Sequence, residues 1–118
     1  MDAGWYETTS GRFKIDKVVG WYDVWTHGNL PFPKITFKVV ETPKGSYIAS
    51  SNVYVRNNGV IEYNCGVGKD VQSAVLNGIE SFYGEVEKLE SSTGVKSEVS
   101  DFVWMCWTPF GAEPFTDD

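Results

Sequence analysis

Asp70-Val71-Gln72-Ser73-Ala74-Val75-Leu76-Asn77-Gly78-Ile79-Glu80-Ser81-Phe82-Tyr83-Gly84-Glu85-Val86-Glu87-Lys88-Leu89 is the stretch on which the fold turns. Val71, Ala74, Val75, Gly78, Ile79, Phe82, Val86 and Leu89 recur every three or four positions, so a helix gathers them on one face. Asp70 can accept from the free N–H groups of the first turn, and Ser91-Ser92-Thr93-Gly94 closes the pattern with Gly94 in a left-handed C-cap region. The spacing therefore predicts one long helix from about Asp70 to Ser91. Gly78 lies inside the apolar stripe, where its cost of about 1 kcal/mol is tolerable if the backbone must lie close against a sheet. Leu76 and Tyr83 sit on the shoulder of the stripe and are expected to be exposed. An exposed apolar pair marks a contact surface, and the homodimer is the commonest closed assembly.

Upstream of this helix the chain breaks into strand-length pieces. Thr9-Ser10-Gly11 separates Trp5–Glu7 from the alternating Arg12-Phe13-Lys14-Ile15, which is a hairpin signal. Trp21–Thr26 is a further strand, and His27–Pro33 is a loop because Pro31 and Pro33 remove ladder donors. Ile35, Phe37 and Val39 alternate with lysine and threonine, Pro43-Lys44-Gly45 turns, and Tyr47–Arg56 returns. Asn58-Gly59 is the strongest short hairpin signal, and Ile61–Asn64 ends the regular β structure before the helix. Val99–Trp107 is apolar at both parities, as for a last strand covered on both faces. The expected class is α+β: an antiparallel β-meander packed against one long α-helix, with a final C-terminal strand. Its 118 residues make one domain over residues 1–110, followed by an acidic flexible tail at 111–118.

Composition narrows the function. With 42% hydrophobic and 15% aromatic residues the chain has ample core material and is not intrinsically disordered. Two cysteines and one histidine cannot build a closed zinc site, so neither a metal nor a cofactor is expected. No apolar run approaches the roughly 20 residues of a membrane span, and Met1-Asp2-Ala3-Gly4-Trp5 has no signal-peptide character, so the expected setting is cytoplasmic. The net charge of −6 is divided unevenly. Residues 1–59 hold seven basic and five acidic side chains (+2), whereas residues 60–118 hold three and eleven (−8). An acidic C-terminal half suits a protein partner with a basic surface and disfavours that half as a nucleic-acid platform.

Motifs for chemistry are weak. Gly66-Val67-Gly68-Lys69-Asp70 opens a helix, where an anion can bind, but Tyr63 replaces the first P-loop glycine and Asp70 the magnesium-binding hydroxyl. It reads first as a plain strand-to-helix turn. Cys65 and His27, with Asp23 or Asp70 to orient them, have nothing that brings them together, and Cys65 reads as a buried inert thiol. No carboxylate pair is spaced for acid and base work, so an enzyme is not expected. The anomaly is the aromatics: five Trp, six Tyr and seven Phe. Trp21 and Trp25 share a strand face with Asp23, and Trp104 and Trp107 fall on opposite faces of the last strand, so at least one pair is expected to meet solvent or a partner.

Within Phe37–Leu89, the turn Gly45-x-Tyr47-x-Ala49 is followed by Cys65, Gly68 and, six residues on, the helix residue Ala74. This pattern resembles the sheet-and-helix domain of HicB-type antitoxins. The resemblance implies a domain that occludes a basic nuclease partner and performs no chemistry.

Together these readings lead to a non-enzymatic binding module of the inhibitor, antitoxin or immunity kind. It would contact a basic protein partner through Glu80, Glu87 and Glu90 with anchors from Trp21, Trp25, Trp104 and Trp107. A second class is a nucleotide or small-ligand binder using Tyr54, Arg56, Gly66, Gly68 and Lys69. A third is RNA binding on an open sheet face, where Arg12, Lys14, Lys34, Lys38, Tyr54 and Arg56 would converge.

Overall fold

The computed structural model describes residues 1–108 and 111–114, with side chains through Met105. β1 (Gly4–Thr8) and β2 (Gly11–Ile15) form an antiparallel hairpin around Thr9-Ser10, a two-stranded sheet of its own. β3 (Lys17–Trp25), β4 (Lys34–Glu41) and β5 (Tyr47–Ser51) follow as a meander. β6 (Val53–Asn57) and β7 (Val60–Glu62) close on Asn58-Gly59, where both turn residues take positive φ as an Asn-Gly hairpin requires. β8 (Cys65–Gly68) leads into α1 (Val71–Thr93), and a 3₁₀ turn over Val99–Asp101 precedes β9 (Phe102–Thr108) and β10 (Gly111–Pro114). One four-stranded sheet runs β3-β4-β5-β8 and a second runs β10-β9-β6-β7, every pairing antiparallel. The protein is α+β, antiparallel sheets packed on one long helix with a C-terminal strand.

The helix is built as its sequence predicts. Ser73 N donates to Asp70 Oδ1 at 2.7 Å, and Gly94, at φ 72°, donates its N–H to Glu90 O at 2.9 Å. Its buried face is Ala74, Gly78, Phe82, Val86 and Leu89, all members of the apolar stripe. Opposite it, Ile35, Phe37 and Val39 of β4 are fully buried at alternate positions, so the intervening Thr36, Lys38 and Val40 point to the sheet's outer face. Phe32 stands edge-on to Phe102 at 4.9 Å and to Trp104 at 4.8 Å, closing the core between the two sheets.

The course of the strands and loops departs from the sequence reading as follows. β structure does not end at Asn64: β8 pairs with β5, with Ala49 opposite Gly66, so Gly66 to Gly68 is a strand and not a turn. Tyr47–Arg56 is not one strand but two, parted at Asn52 into different sheets. Asn52 binds both ways: its N–H donates to Thr36 O (2.9 Å), its Oδ1 accepts from Thr36 N (3.0 Å), and its carbonyl accepts from Met105 N (2.7 Å). The loop after β3 delivers Leu30 and Phe32 to the core, held by buried Thr26, whose hydroxyl donates to Phe32 O at 2.6 Å. Gly111–Pro114, expected in the tail, pairs with β9, and residues 115–118 lie outside the described residues.

Candidate functional site

The outer face of the β3-β4-β5-β8 sheet, opposite α1, carries two exposed tryptophans. Strand register places Trp21 beside Lys38, Asp23 beside Thr36 and Trp25 beside Lys34, so all six share that face. Trp21 is 51% and Trp25 59% exposed. Next to them runs an apolar row across four strands, Val18, Val40, Ile48 and Val67, each paired with the next. Between the two tryptophans, Asp23 accepts from Thr36 Oγ1 at 2.8 Å and meets Lys34 Nζ at 3.3 Å. The Thr36 hydrogen bond, and then Lys34, hold its carboxyl below the usual carboxylate range. Lys34 Nζ also lies 5.6 Å from the centroid of the Trp25 ring. The β1–β2 hairpin repeats the arrangement, with the Arg12 guanidinium 4.8 Å over Trp5. Trp5 and Lys14 border the outer face, sharing a cavity of about 160 Å³ with Val40 and Ile48.

The other anchors do not join this face. Trp104 is half-buried and packs on the core against Phe32, because β9 lays it over the aromatic cluster. The side chain of Trp107 lies outside those described. Glu80 and Glu87 are exposed on α1, and the helix covers the opposite side of the sheet from Trp21 and Trp25. The acidic and aromatic groups are therefore two surfaces rather than one. Glu90 serves the fold, accepting from Ser97 N at 2.8 Å, and that bond holds its carboxyl below the usual range.

The ligand-binding set is dispersed too. A Cβ at Gly66 would stand 2.1 Å from Ala74 O and Gly78 N, and one at Gly68 would stand 2.5 Å from Ala74 N. These glycines let strand and helix backbones touch, and Asp70 already occupies the helix N-terminus. Lys69 is exposed beside it. Tyr54 is buried under Tyr63, ring centroids 4.9 Å apart, and burial pushes its phenol pKa up. Arg56 is exposed on β6, in the other sheet. Tyr54 and Arg56 thus stand apart from Arg12, Lys14, Lys34 and Lys38.

Leu76 is exposed, as its shoulder position predicts, and lines an apolar cleft of about 400 Å³ with Tyr22, Val71, Gln72 and Val75. Tyr83 differs from the expectation. It is half-buried against the core and donates its hydroxyl to Asn29 Oδ1 at 2.6 Å, and burial raises its pKa. Cys65 is exposed on the outer face, not buried, because β8 is an edge strand whose alternation turns Gly66 inward. It lies on the edge of the sheet away from β3, after which His27 follows. Among the described residues no three His, Cys, Asp or Glu side chains gather as metal ligands, and no helix is long and apolar enough to cross a membrane.

Tyr22 and the Val18-to-Val67 row escaped sequence reasoning. Only the two-residue alternation of β3 signals them, and a bulge between Val18 and Gly20 shifts its phase. No protein-family model matches the chain, and no curated protein or solved structure matches it significantly.

Proposed function

We propose that the protein is a non-enzymatic binding module of the inhibitor, antitoxin or immunity kind, which occludes a protein partner through the outer face of the β3-β4-β5-β8 sheet. The observation that carries this reading is the half-exposed pair Trp21 and Trp25 on a sheet face opposite the helix. Such side chains bury large area on binding and lose little rotamer freedom. Lys34, held by Asp23 and 5.6 Å from the Trp25 ring centroid, lowers that loss further at Trp25. The partner carries a basic surface: the −8 of the C-terminal half, with Glu80 and Glu87 exposed on α1, steers a cation-rich protein before contact. The resemblance of residues 37–89 to HicB-type antitoxins supports the antitoxin form of this reading. A reducing, cytoplasmic setting belongs to it as well, since it keeps the exposed thiol of Cys65 free.

A second reading, single-stranded RNA on the same face, is favoured by the lysines and arginine beside the rings: Lys34 over Trp25, Lys38 next to Trp21, and Arg12 over Trp5. The test is affinity capture with mass spectrometry, beside native mass spectrometry, followed by binding kinetics. Trp21→Ala with Trp25→Ala is expected to weaken the partner by about 2 to 4 kcal/mol. Glu80→Lys with Glu87→Lys slows association at low salt and has little effect near 1 M, where screening reaches about 3 Å. Indifference of a captured partner to the tryptophans would falsify this assignment. RNA lost on Lys34→Ala and Lys38→Ala would replace it with the second reading.

A further inference from the structure

The β1–β2 hairpin is tied to itself far more than to the rest of the molecule. Its two strands pair only with each other and touch the other elements sparsely. Its polar contacts are internal too: Tyr6 donates its hydroxyl to Asp2 O, Thr8 Oγ1 donates to Gly11 O, and Arg12 lies over Trp5. Lys14 reaches no further than Asp16, at 3.7 Å. Among the described residues no hydrogen bond or ion pair joins residues 1–15 to β3–β10. Trp5, 58% exposed, and Phe13, 50% exposed, stand on opposite faces of the hairpin, since pairing sets Trp5 beside Lys14 and Phe13 beside Tyr6. The contact with the sheet is Trp5 and Lys14 over Val40 and Ile48, around the cavity of about 160 Å³. Packed interiors leave few voids larger than a water molecule, and a gap of about 150 Å³ admits a benzene-sized group, so dispersion contact across this seam is largely forfeited. A second hollow of about 330 Å³, reaching from Asp2 to Gly45, adjoins the first. The covalent link between β2 and β3 is a single exposed residue, Asp16.

We propose that the β1–β2 hairpin is a hinged flap, which turns as a unit about Asp16 and covers or uncovers the centre of the apolar row on the outer face. Closed, it stands over Val40 and Ile48, the half-buried middle of that row, while Val18 and Val67 at the row's ends stay exposed. Opening breaks no hydrogen bond or ion pair among the described residues and uncovers one side of Trp5 and two aliphatic side chains. The two positions are therefore close in free energy, as they are for elements with few buried apolar contacts. The ties inside the hairpin, its five-residue ladder, the Tyr6–Phe13 pair and Arg12 over Trp5, travel with it. The consequence for binding rests on the reading of the outer face as the docking surface. An open flap extends that surface to Val40 and Ile48, a closed one withholds them, and a partner that uses them selects the open form.

Thiol trapping in the full chain tests the motion. Ile48→Cys is reacted with N-ethylmaleimide and with the bulkier fluorescein maleimide, and peptide mass spectrometry compares that thiol with Cys65, exposed on the same face. An opening flap admits both reagents, so the bulky-to-small rate ratio should match that at Cys65 within about 5-fold, with both rates below those of Cys65. Trp5→Ala should raise both rates at the Ile48→Cys thiol at least about 5-fold and leave Cys65 unchanged. Residual dipolar couplings of the unsubstituted chain give a second reading: those of β1 and β2 should be scaled down together relative to those of β3, β4 and β5. A stronger discrimination against the bulky reagent, rates indifferent to Trp5→Ala, or one alignment fitting hairpin and sheet at full size each overturns the flap. These readouts involve no partner, so their failure leaves the role of Trp21 and Trp25 standing, and a partner indifferent to those tryptophans leaves the flap standing.

Discussion

Gly66 shows how much of this architecture rests on single atoms. Its missing side chain lets β8 meet the Ala74–Gly78 turn backbone to backbone, and Gly78 repays the contact by making room for Phe37, whose Cε1 would stand 2.8 Å from a Cβ there. Gly66→Ala is therefore expected to destabilise at the upper end of the overpacking range of about 1 to 3 kcal/mol, measured by urea denaturation. Gly84→Ala, where a Cβ meets nothing within 4 Å, should instead stabilise by up to about 1 kcal/mol. Gly78 was legible because it interrupts a helical stripe, but Gly66 was not, because its neighbours are reached only when the helix folds back. The same distinction separates the carboxylates. Asp70, Asp23 and Glu90 are all held below their ordinary pKa by hydrogen bonds, so the native state binds fewer protons than the unfolded chain in the acid range. Their contribution is present above the ordinary carboxylate range and is lost as pH falls through the lowered values. The thermal midpoint should fall below about pH 4, and Asp70→Asn with Glu90→Gln should flatten that fall. Tyr54 and Tyr83, raised by burial, act at the other extreme, where stability declines as pH climbs past about 10.

Among the elements, α1 follows from local pattern and β5–β6 does not. Phe82 is fully buried on the predicted stripe, among Phe32, Phe102 and Tyr83. Phe82→Ala should cost about 3 to 5 kcal/mol, and a measured loss below about 1 kcal/mol is incompatible with this packing. Tyr47–Arg56, by contrast, reads as one continuous run because nothing in its alternation marks a break. Asn52 divides it by carrying hydrogen bonds to β4 and β9 at once. Asn52→Ala strips Thr36 N of its partner and should cost about 1 to 3 kcal/mol by chemical denaturation. The loop after β3 was legible as a loop from its prolines, yet Phe32, between those prolines, is core, since burial there depends on β9 arriving from the far end of the chain.

Seen whole, the described residues have a helix side and an outer sheet face, with the β1–β2 hairpin as a separate sheet. No residue of 1–15 is among the buried hydrophobics of the described core, so a chain beginning at Asp16 should unfold cooperatively in urea with nearly the same midpoint. A large drop in cooperativity would show that the hairpin is part of the core. The charge split, plain in the sequence, suggested one acidic and aromatic surface. The tertiary structure separates it, because β3 turns Trp21 and Trp25 away from the sheet face that α1 covers.

Periodicity and turn chemistry, both local, were enough to read the α+β class, the helix with its caps, the hairpin at Asn58-Gly59 and the excess of aromatic side chains over core needs. Strand order was beyond them. Which strand lies at an edge, which face of β3 meets water, and whether a glycine serves an anion or a helix all depend on pairings between residues far apart in the chain. Those pairings are chosen by how the whole apolar surface is buried at once, and no window of sequence contains that sum.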